Sequence, residues 1–192
     1  MFITFEGPEG CGKTTQISIL ASWLRSRGLR VLCTREPGGT LIGDQVRSIL
    51  TRLDNTVMAP EAELCLFLAS RAQLVKEVVV AAFNAGTIVL CDRFTDARLA
   101  YQGYGHGLDV QFLKSLNMFA TGGLVPDMPV LLDVYPEIGI ERRRSSGGEW
   151  NRLDAMVMAF LQRVGKGYHI LAADDPSRWR TIDAYRPFDD VS

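Results

Sequence analysis

The sequence lacks the features that mark several large classes of protein. It has 21 Lys and Arg residues against 22 Asp and Glu residues, so no excess of basic charge predicts a broad surface for nucleic acid. No apolar run reaches the roughly 18 residues of a membrane span, and the first residues show neither a basic start nor a cleavage site. Its four cysteines form no CxxC pair and have no histidine at ligand spacing, which argues against a zinc site and a disulfide framework. We therefore expect a soluble cytoplasmic protein that binds neither nucleic acid nor a membrane.

Short apolar segments rich in β-branched residues alternate with helical patterns along the chain. Two of these segments, 88–90 and 130–132, are continuously apolar, as expected for strands that are covered on both faces. Strands are predicted at 2–5, 30–33, 87–91, 129–134 and 179–182, and helices at 13–27, 43–53, 60–84, 110–121, 136–144 and 153–173. This order predicts an α/β fold, in which a five-stranded parallel sheet is flanked by helices in a single domain over 1–192.

One short segment has the composition of a flexible connection. Ser145 to Gly148 reads Ser-Ser-Gly-Gly and joins a basic helix end to the next helical pattern. We predict a small mobile lid there, over about 142–152. The three arginines before it, Arg142 to Arg144, would on composition alone be the solvated face of a helix.

The segment Gly7 to Thr14 has the spacing of a phosphate-binding loop. It reads Gly-Pro-Glu-Gly-Cys-Gly-Lys-Thr and lies between a predicted strand and a predicted helix, which is the context that this motif requires. Its glycines let several backbone N–H groups approach one anion. Lys13 is expected to neutralise the β- and γ-phosphates of ATP, and Thr14 to bind Mg²⁺. The predicted ATP-binding residues of the loop are Gly7, Pro8, Glu9, Gly10, Cys11, Gly12, Lys13, Thr14 and Thr15.

An acid and an arginine follow the third predicted strand. Asp92 and Arg93 stand at its carboxyl end, where open α/β sheets bind their ligands. Asp92 is predicted to be a direct or indirect partner of Mg²⁺, and Arg93 to grip a phosphate. A plain ion pair at the strand end is the alternative, but the phosphate-binding loop in the same sheet favours the site.

Several segments together resemble thymidylate kinase, the enzyme family that phosphorylates dTMP with ATP. The resemblance runs from residue 1 to about residue 184 and includes the phosphate-binding loop and the string Asp92-Arg93-Phe94. Two strings are specific to this family among proteins with such a loop, Arg-Glu-Pro-Gly-Gly-Thr at 35–40 and Ala-Tyr-Gln-Gly at 100–103. The resemblance implies a P-loop NTPase fold of the nucleoside monophosphate kinase type. It also implies transfer of the γ-phosphoryl group of Mg-ATP to dTMP, which gives dTDP.

For the acceptor nucleotide, the resemblance implies a pair of residues that bind the base. Phe67 and Arg71 are four residues apart, so on a helix they share one face, where the ring would stack on thymine and the guanidinium would donate to a base carbonyl. A core Phe beside a surface Arg is the alternative. The whole implied substrate-binding set is Glu9, Glu36, Arg47, Phe67, Arg71, Arg93, Ala97, Tyr101 and Gln102.

The other implied contacts of the acceptor differ in chemistry. Arg47 and Arg93 look like the family arginines on the monophosphate, and Tyr101 like the tyrosine that packs under the deoxyribose. Glu9 is implied to accept a hydrogen bond from the 3′-hydroxyl group, with a solvent-facing glutamate as the alternative, and Gln102 to complete the contacts with the base. Because Glu36 resembles the family acid near the metal, the expected metal ligands are Thr14, Asp92 and Glu36.

No arginine occurs between Pro8 and Cys11, so the phosphate-binding loop supplies no side-chain cation beyond its lysine for the transferring group. The lid must supply it, as in the bacterial arrangement of the family, in which lid arginines close over ATP. The expected catalytic residues are Lys13, Arg93, Glu9, Arg143 and Arg152, and the further ATP-binding residues are Arg142 and Arg144.

Two positions depart from the family pattern and leave alternatives open. The family often has Ser or Thr where Ala97 and Arg98 stand, so a kinase for another nucleotide or nucleoside is the nearest alternative. A nucleotide-binding switch with little catalysis is a second alternative, although a switch has no use for an acceptor site. From the resemblance alone we also expect a homodimer, formed through apolar helices at 61–83 and 112–119.

Overall fold

The computed structural model describes residues 1–147 and 150–185, and its strands form one parallel sheet. The strands are β1 (Phe2–Glu6), β2 (Val31–Arg35), β3 (Ile88–Asp92), β4 (Met128–Asp133) and β5 (Arg180–Asp183). They stand in the order β2-β3-β1-β4-β5, and every neighbouring pair is parallel. The predicted five-stranded parallel sheet is thus confirmed.

Helices cover the sheet and connect its strands. They are α1 (Lys13–Ser26), α2 (Leu41–Thr51), α3 (Pro60–Leu74), α4 (Val80–Asn84), α5 (Thr95–Arg98), α6 (Val110–Thr121), α7 (Pro136–Ser145) and α8 (Met158–Asp174), with π-helical stretches at Val75–Val79 and Leu99–Gly105. Thr40 and Asp109 cap α2 and α6 through their side-chain oxygens. None of the helices in 1–147 and 150–185 has the length and apolar character to cross a membrane.

The helices differ most from the sequence expectation in two places, while α2 is shifted by two residues from its predicted bounds. The last helix begins at Met158 rather than at 153, because Asn151 Oδ1 accepts hydrogen bonds from the backbone N–H groups of Leu153 and Asp154 and holds this segment in a turn. The helical segment 95–105 was not predicted. Nearly all of its residues are buried, so it lacks the amphipathic period by which helices are recognised.

The sheet lies between apolar layers that hold its carboxyl edge in place. On one side, Ile3 and Leu90 pack against Ile17 of α1. A further cluster joins Tyr101 and Tyr168, which bring α8 against the π-helical stretch at Leu99–Gly105. This packing places the carboxyl ends of β2 and β3 and the loop after β1 around one cleft.

Candidate active site

A cleft of about 1110 Å³ contains residues from the carboxyl ends of β2 and β3 and from the loop after β1. Parallel α/β sheets bind ligands at this edge, because the loops after neighbouring strands converge there. The charged side chains that line it are Lys13, Arg25, Arg35, Arg47, Arg93, Arg98, Arg142, Arg143, Glu9, Glu36, Asp44, Asp92 and Asp154. A cleft with this mixture of charges suits a ligand that carries both phosphate groups and a metal ion.

The loop between β1 and α1 has a backbone that depends on glycine. The φ angles of Gly7, Gly10 and Gly12 are 133°, 70° and 94°, values that residues with a Cβ atom rarely adopt. Lys13 folds back over the loop, and its Nζ donates to the carbonyl oxygens of Gly7 at 3.2 Å and Pro8 at 2.7 Å. The ammonium group therefore lies at the N-terminus of α1, where the helix dipole favours an anion.

The tip of this loop touches α7 through backbone atoms. A Cβ atom on Gly10 would lie 1.9 Å from the carbonyl oxygen of Gly139, and a Cβ atom on Gly139 would lie 2.2 Å from the carbonyl oxygen of Glu9. Neither position accepts a larger residue unless the loop and the helix separate. Since α7 leads into the predicted lid, this contact joins the phosphate-binding loop to the base of the lid.

A hydroxyl group and a carboxylate meet in the cleft. Thr14 Oγ1 donates to Asp92 Oδ2 at 2.9 Å, because β1 and β3 are neighbours in the sheet. The described residues contain no group of three or more His, Cys, Asp or Glu side chains that could hold a metal ion. One carboxylate and a hydroxyl nevertheless fit Mg²⁺, which proteins usually bind through one or two carboxylates while water and substrate phosphates complete its shell.

Glu9 forms the centre of a second polar cluster. Its Oε1 accepts hydrogen bonds from Tyr101 Oη at 2.6 Å and Arg93 Nη2 at 3.0 Å, whereas its Oε2 is buried and has no partner among the described residues. Arg93 also donates to Tyr168 Oη at 3.0 Å, and its φ of 67° is rare for a residue other than glycine. Burial alone lowers the pKa of Arg93, but its tyrosine neighbours and the carboxylates of Glu9 and Asp92 raise it above the ordinary value. The cluster thus offers a ligand a fixed cation and an unpaired acceptor.

Glu6 lies behind this cluster, at the end of β1, and is fully buried. Its Oε1 accepts a hydrogen bond from the backbone N–H of Phe94 at 2.8 Å, and its Oε2 accepts one from Tyr168 Oη at 3.2 Å. Burial and the charge of Asp96 raise the pKa of Glu6 to about 8, although Arg93 opposes the shift. Glu6 therefore binds a proton more readily than an exposed glutamate does.

Arg71 and Glu36 form a buried ion pair. Arg71 has no exposed surface, and its Nε lies 3.0 and 2.9 Å from the two carboxylate oxygens of Glu36. Its Nη2 bonds to Glu36 and to the carbonyl oxygen of Phe94, and its Nη1 donates to Asn117. Glu36 and Phe67 line the cleft, whereas Arg71 does not.

A separate buried network surrounds Glu63. Its Oε1 accepts a hydrogen bond from Gln102 Nε2 at 2.6 Å, its Oε2 bonds to Arg152 Nη2, and His106 Nε2 lies 3.4 Å from Oε1. Burial alone raises the pKa of Glu63, but the contacts with His106 and Arg152 outweigh it and lower the pKa to about 2. Arg152 also donates to the carbonyl oxygen of Leu50 at 2.8 Å. It thereby ties the end of the predicted lid to α2 and α3.

The arginines predicted for the lid lie in different surroundings. Arg142 and Arg143 line the cleft, and Arg143 Nε lies 3.2 Å from both carboxylate oxygens of Asp154. Arg144 lies over a tryptophan ring and does not line the cleft. Gly148, at the tip of the predicted lid, lies outside the described residues.

Comparison with known proteins decides the family. A family model for thymidylate kinase matches residues 5–192. The thymidylate kinase of Roseiflexus sp. (strain RS-1) is 50% identical over an alignment of 195 residues, gaps included, and the alignment covers 96% of this chain and 86% of the relative. That of Trichlorobacter lovleyi is 52% identical over 189 residues, which cover 96% of this chain and 89% of the relative. The chain belongs to the thymidylate kinase family.

A solved structure of a family member supports the fold. The thymidylate kinase from Ehrlichia chaffeensis superposes with a TM-score of 0.79 at 34% identity, and the match covers 95% of this chain and 91% of the other. The resemblance inferred from the sequence motifs and the predicted P-loop NTPase fold are therefore confirmed. The single-domain division and the mobility of the lid stay predictions.

The cleft of this family member gathers some of the predicted residues and not others. Those that line it are Glu9, Gly10, Gly12, Lys13, Thr14, Thr15, Glu36, Arg47, Phe67, Asp92, Arg93, Tyr101, Arg142 and Arg143. Those that do not line it are Gly7, Pro8, Cys11, Arg71, Ala97, Gln102, Arg144 and Arg152. The first three still shape the phosphate-binding loop, but Arg71, Gln102 and Arg152 are held by buried partners.

Several side chains with a place in the site escaped prediction from the sequence, among them Tyr168, Asp154 and Glu6. Tyr168 reaches Arg93 and Glu6 from α8, and Asp154 holds Arg143. No local motif marks either of them, because each contact joins distant parts of the chain. Glu6 was not singled out either, although an acid at the end of an apolar strand is a signal that can be read.

Proposed function

We propose that the protein transfers the γ-phosphoryl group of Mg-ATP to the 5′-phosphate of dTMP, giving ADP and dTDP. Family membership supports this reaction. The observation that carries it is that one loop presents Lys13 and Glu9 to the same cleft. Lys13 lies at the anion-binding end of α1, and the unpaired Oε2 of Glu9 suits the 3′-hydroxyl group of the acceptor sugar. A single loop then touches both nucleotides.

On the donor side, we assign Lys13 to the β- and γ-phosphates of ATP. Thr14 and Asp92 would hold Mg²⁺, since their oxygens converge in the cleft; when bound, the ion neutralises charge on these phosphates. Glu36 is less suited to the metal than the sequence suggested, because both of its oxygens already accept hydrogen bonds from Arg71.

On the acceptor side, Arg47 and Arg93 are assigned to the monophosphate, and Tyr101 to the deoxyribose. Arg93 is the better defined of the two arginines, because Glu9 and Tyr168 fix its guanidinium. Arg47 donates to the carbonyl oxygen of Pro37 at 3.1 Å and lines the same cleft.

Catalysis in this proposal is mainly electrostatic. An oxygen of a monophosphate is already a nucleophile, so the enzyme needs no base and has only to position the reactants and stabilise the redistributed charge. Lys13 and Arg93 supply fixed charges. The lid arginine would be Arg142 or Arg143, which line the cleft, whereas Arg152 serves better as an anchor.

Replacing Lys13 by Ala tests this assignment. We expect turnover of dTMP to fall by roughly a thousandfold, because the charge on the transferring group loses a preorganised partner. Lys166→Ala, which removes an exposed lysine from α8, is the matched control and should retain full activity. A folded Lys13→Ala protein with near-normal turnover would contradict the mechanism.

A nucleotide-binding switch is the less supported alternative. Such a protein needs the loop and the metal site but not the cluster of Glu9, Arg93 and Tyr101. Binding of ATP without phosphoryl transfer to any monophosphate would favour the switch over the kinase.

A homodimer in the cytoplasm completes the proposal. The expected interface includes α6, on which Phe112 and Phe119, seven residues apart, are 61% and 87% exposed. Light scattering of the wild type and of Phe119→Ser tests the dimer, since a monomeric wild-type protein would exclude it. Fractionation of cells tests the compartment.

A further inference from the structure

Arg98 is a buried cation that has no hydrogen-bonding partner among the residues that the structure describes. The residue is 2% exposed, and its Nε and Nη1 atoms have no acceptor among the described residues. Buried polar groups in folded proteins almost always have a partner, and a buried unpaired charge is costly. Buried donors that are unpaired in the absence of a ligand indicate a group that binds one.

The surroundings of Arg98 show where that ligand lies. Its Cζ atom lies 3.5 Å from the centre of the Phe67 ring and 5.7 Å from that of Tyr101, and all three side chains line the cleft. A guanidinium stacked on a ring keeps its N–H groups pointing outwards in its own plane. Burial and the charge of Arg71 lower the pKa of Arg98 to about 10, so the group still carries its charge at neutral pH.

Arg71, the arginine expected from the sequence to read the base, is differently placed. Its Nε, Nη1 and Nη2 atoms all bond to protein acceptors, among them Glu36 and Asn117, and it does not line the cleft. Of these two arginines near Phe67, Arg98 is the one that lines the cleft and has nitrogen atoms with no acceptor among the described residues.

We propose that Arg98 reads the acceptor base by donating a hydrogen bond to the carbonyl oxygen at C4 of the pyrimidine. The inference rests on the proposed function, since the base is that of the monophosphate acceptor. A guanidinium has five donors and no acceptor. It therefore favours thymine and uracil, which carry an oxygen at C4, over cytosine, which carries an amino donor there.

Replacing Arg98 by Met tests the proposal, because Met keeps an unbranched, apolar stem in the same place and removes the donors. Arg27→Met is a matched control: Arg27 stacks on Trp23 at the same 3.5 Å but is exposed and does not line the cleft. The measurements are kcat/KM for dTMP, dUMP and dCMP, binding of thymidine and of 2-deoxyribose 5-phosphate by calorimetry, and the unfolding midpoint without ligand.

For Arg98→Met we expect kcat/KM for dTMP and dUMP to fall about tenfold to a hundredfold, the usual effect of losing a charged hydrogen bond. The value for dCMP should change much less. Thymidine should bind more weakly by a similar factor, while the binding of 2-deoxyribose 5-phosphate stays the same. The unfolding midpoint without ligand should stay the same or rise, because a buried unpaired charge is gone.

Other results would overturn the proposal. Unchanged discrimination between dTMP and dCMP would show that Arg98 does not read the base. Equal losses for all three monophosphates, with a lowered unfolding midpoint, would show a purely structural role, and weaker binding of 2-deoxyribose 5-phosphate alone would show a phosphate contact. If the wild type phosphorylates none of the three, the proposed function fails. Thymidine binding then decides the role of Arg98. Loss of thymidine binding in Arg98→Met supports the role, and retained binding refutes it.

Discussion

Replacing Glu63 by Gln should release the buried network that holds Arg152. Glutamine keeps the shape of the side chain but removes the negative charge that faces the guanidinium, whose side chain is 9% exposed. Against the effect of burial, the contacts with His106, Arg152 and Gln102 together lower the pKa of Glu63 from 4.5 to about 2, and at 1.36 kcal/mol per pKa unit this corresponds to about 3 kcal/mol of stability at neutral pH for the whole network. Breaking a buried ion pair costs a similar amount, about 3–5 kcal/mol. We therefore expect the free energy of unfolding to fall by about 3 kcal/mol.

Urea unfolding at pH 7, followed by circular dichroism, measures this loss. In a chain of this size, about 1 kcal/mol shifts the thermal midpoint by about 2–4 °C, so Tm should fall by roughly 6–12 °C. Glu61→Gln, an exposed change in the same helical turn, is the matched control and should cost less than about 0.5 kcal/mol. Because the folded pKa is the lower one, the contribution of Glu63 is present above pH 4.5 and is lost as the pH falls towards 2.

A Glu63→Gln protein as stable as the wild type would refute the anchoring role of Arg152. Arg152 as an anchor and Arg152 as a contact of the ATP phosphates also differ in their effects on turnover. If Arg152 is an anchor, Arg152→Met and Glu63→Gln should lose stability together and show coupling in a double-mutant cycle. If Arg152→Met instead abolishes turnover while Glu63→Gln is stable and active, Arg152 acts on the phosphates, as the sequence first suggested.

Two further changes test other parts of the account. The pKa of Glu6 is raised from 4.5 to about 8 on folding, so the free energy of unfolding falls as the pH rises between these values. Denaturation curves at several pH values give the slope of the unfolding free energy against pH. Glu6→Gln should flatten this slope, whereas the exposed change Glu141→Gln should not. An unchanged slope for Glu6→Gln would contradict the raised pKa of Glu6. Gly139→Ala should lower kcat/KM for ATP roughly tenfold to a hundredfold, because the added methyl group would lie 2.2 Å from the carbonyl oxygen of Glu9. Gly165→Ala is the control and should keep full activity, because its methyl group would lie 3.5 Å from Pro136. Full activity of Gly139→Ala would show that the contact between α7 and the phosphate-binding loop is unimportant.

The parts of the site that the sequence predicted are the parts set by local spacing. The phosphate-binding loop needs glycines and Lys13 at fixed positions next to a strand and a helix, so a short string is enough to identify it. Asp92 was found in the same way, because parallel strands bring their carboxyl ends to one edge. These inferences use neighbours in sequence or the general geometry of the sheet.

Contacts between distant residues were beyond such reasoning. Arg152 and Glu63 are 89 residues apart, and nothing in either segment indicates that they pair. Arg71 has the four-residue spacing from Phe67 that suggested a shared role, but Glu36 and Asn117 bind its guanidinium in the interior. Side chains of the same type are told apart only by the partners that the fold brings to them.

Product analysis with labelled ATP tests the central claim most directly. Purified wild-type protein is incubated with Mg²⁺, dTMP and ATP labelled at the γ-phosphorus, and the nucleotides are separated. We predict that the label appears in the β-phosphate of dTDP, with one ADP formed for each dTDP. Label recovered only as inorganic phosphate, or only in the product of another acceptor supplied in competition with dTMP, would contradict the account.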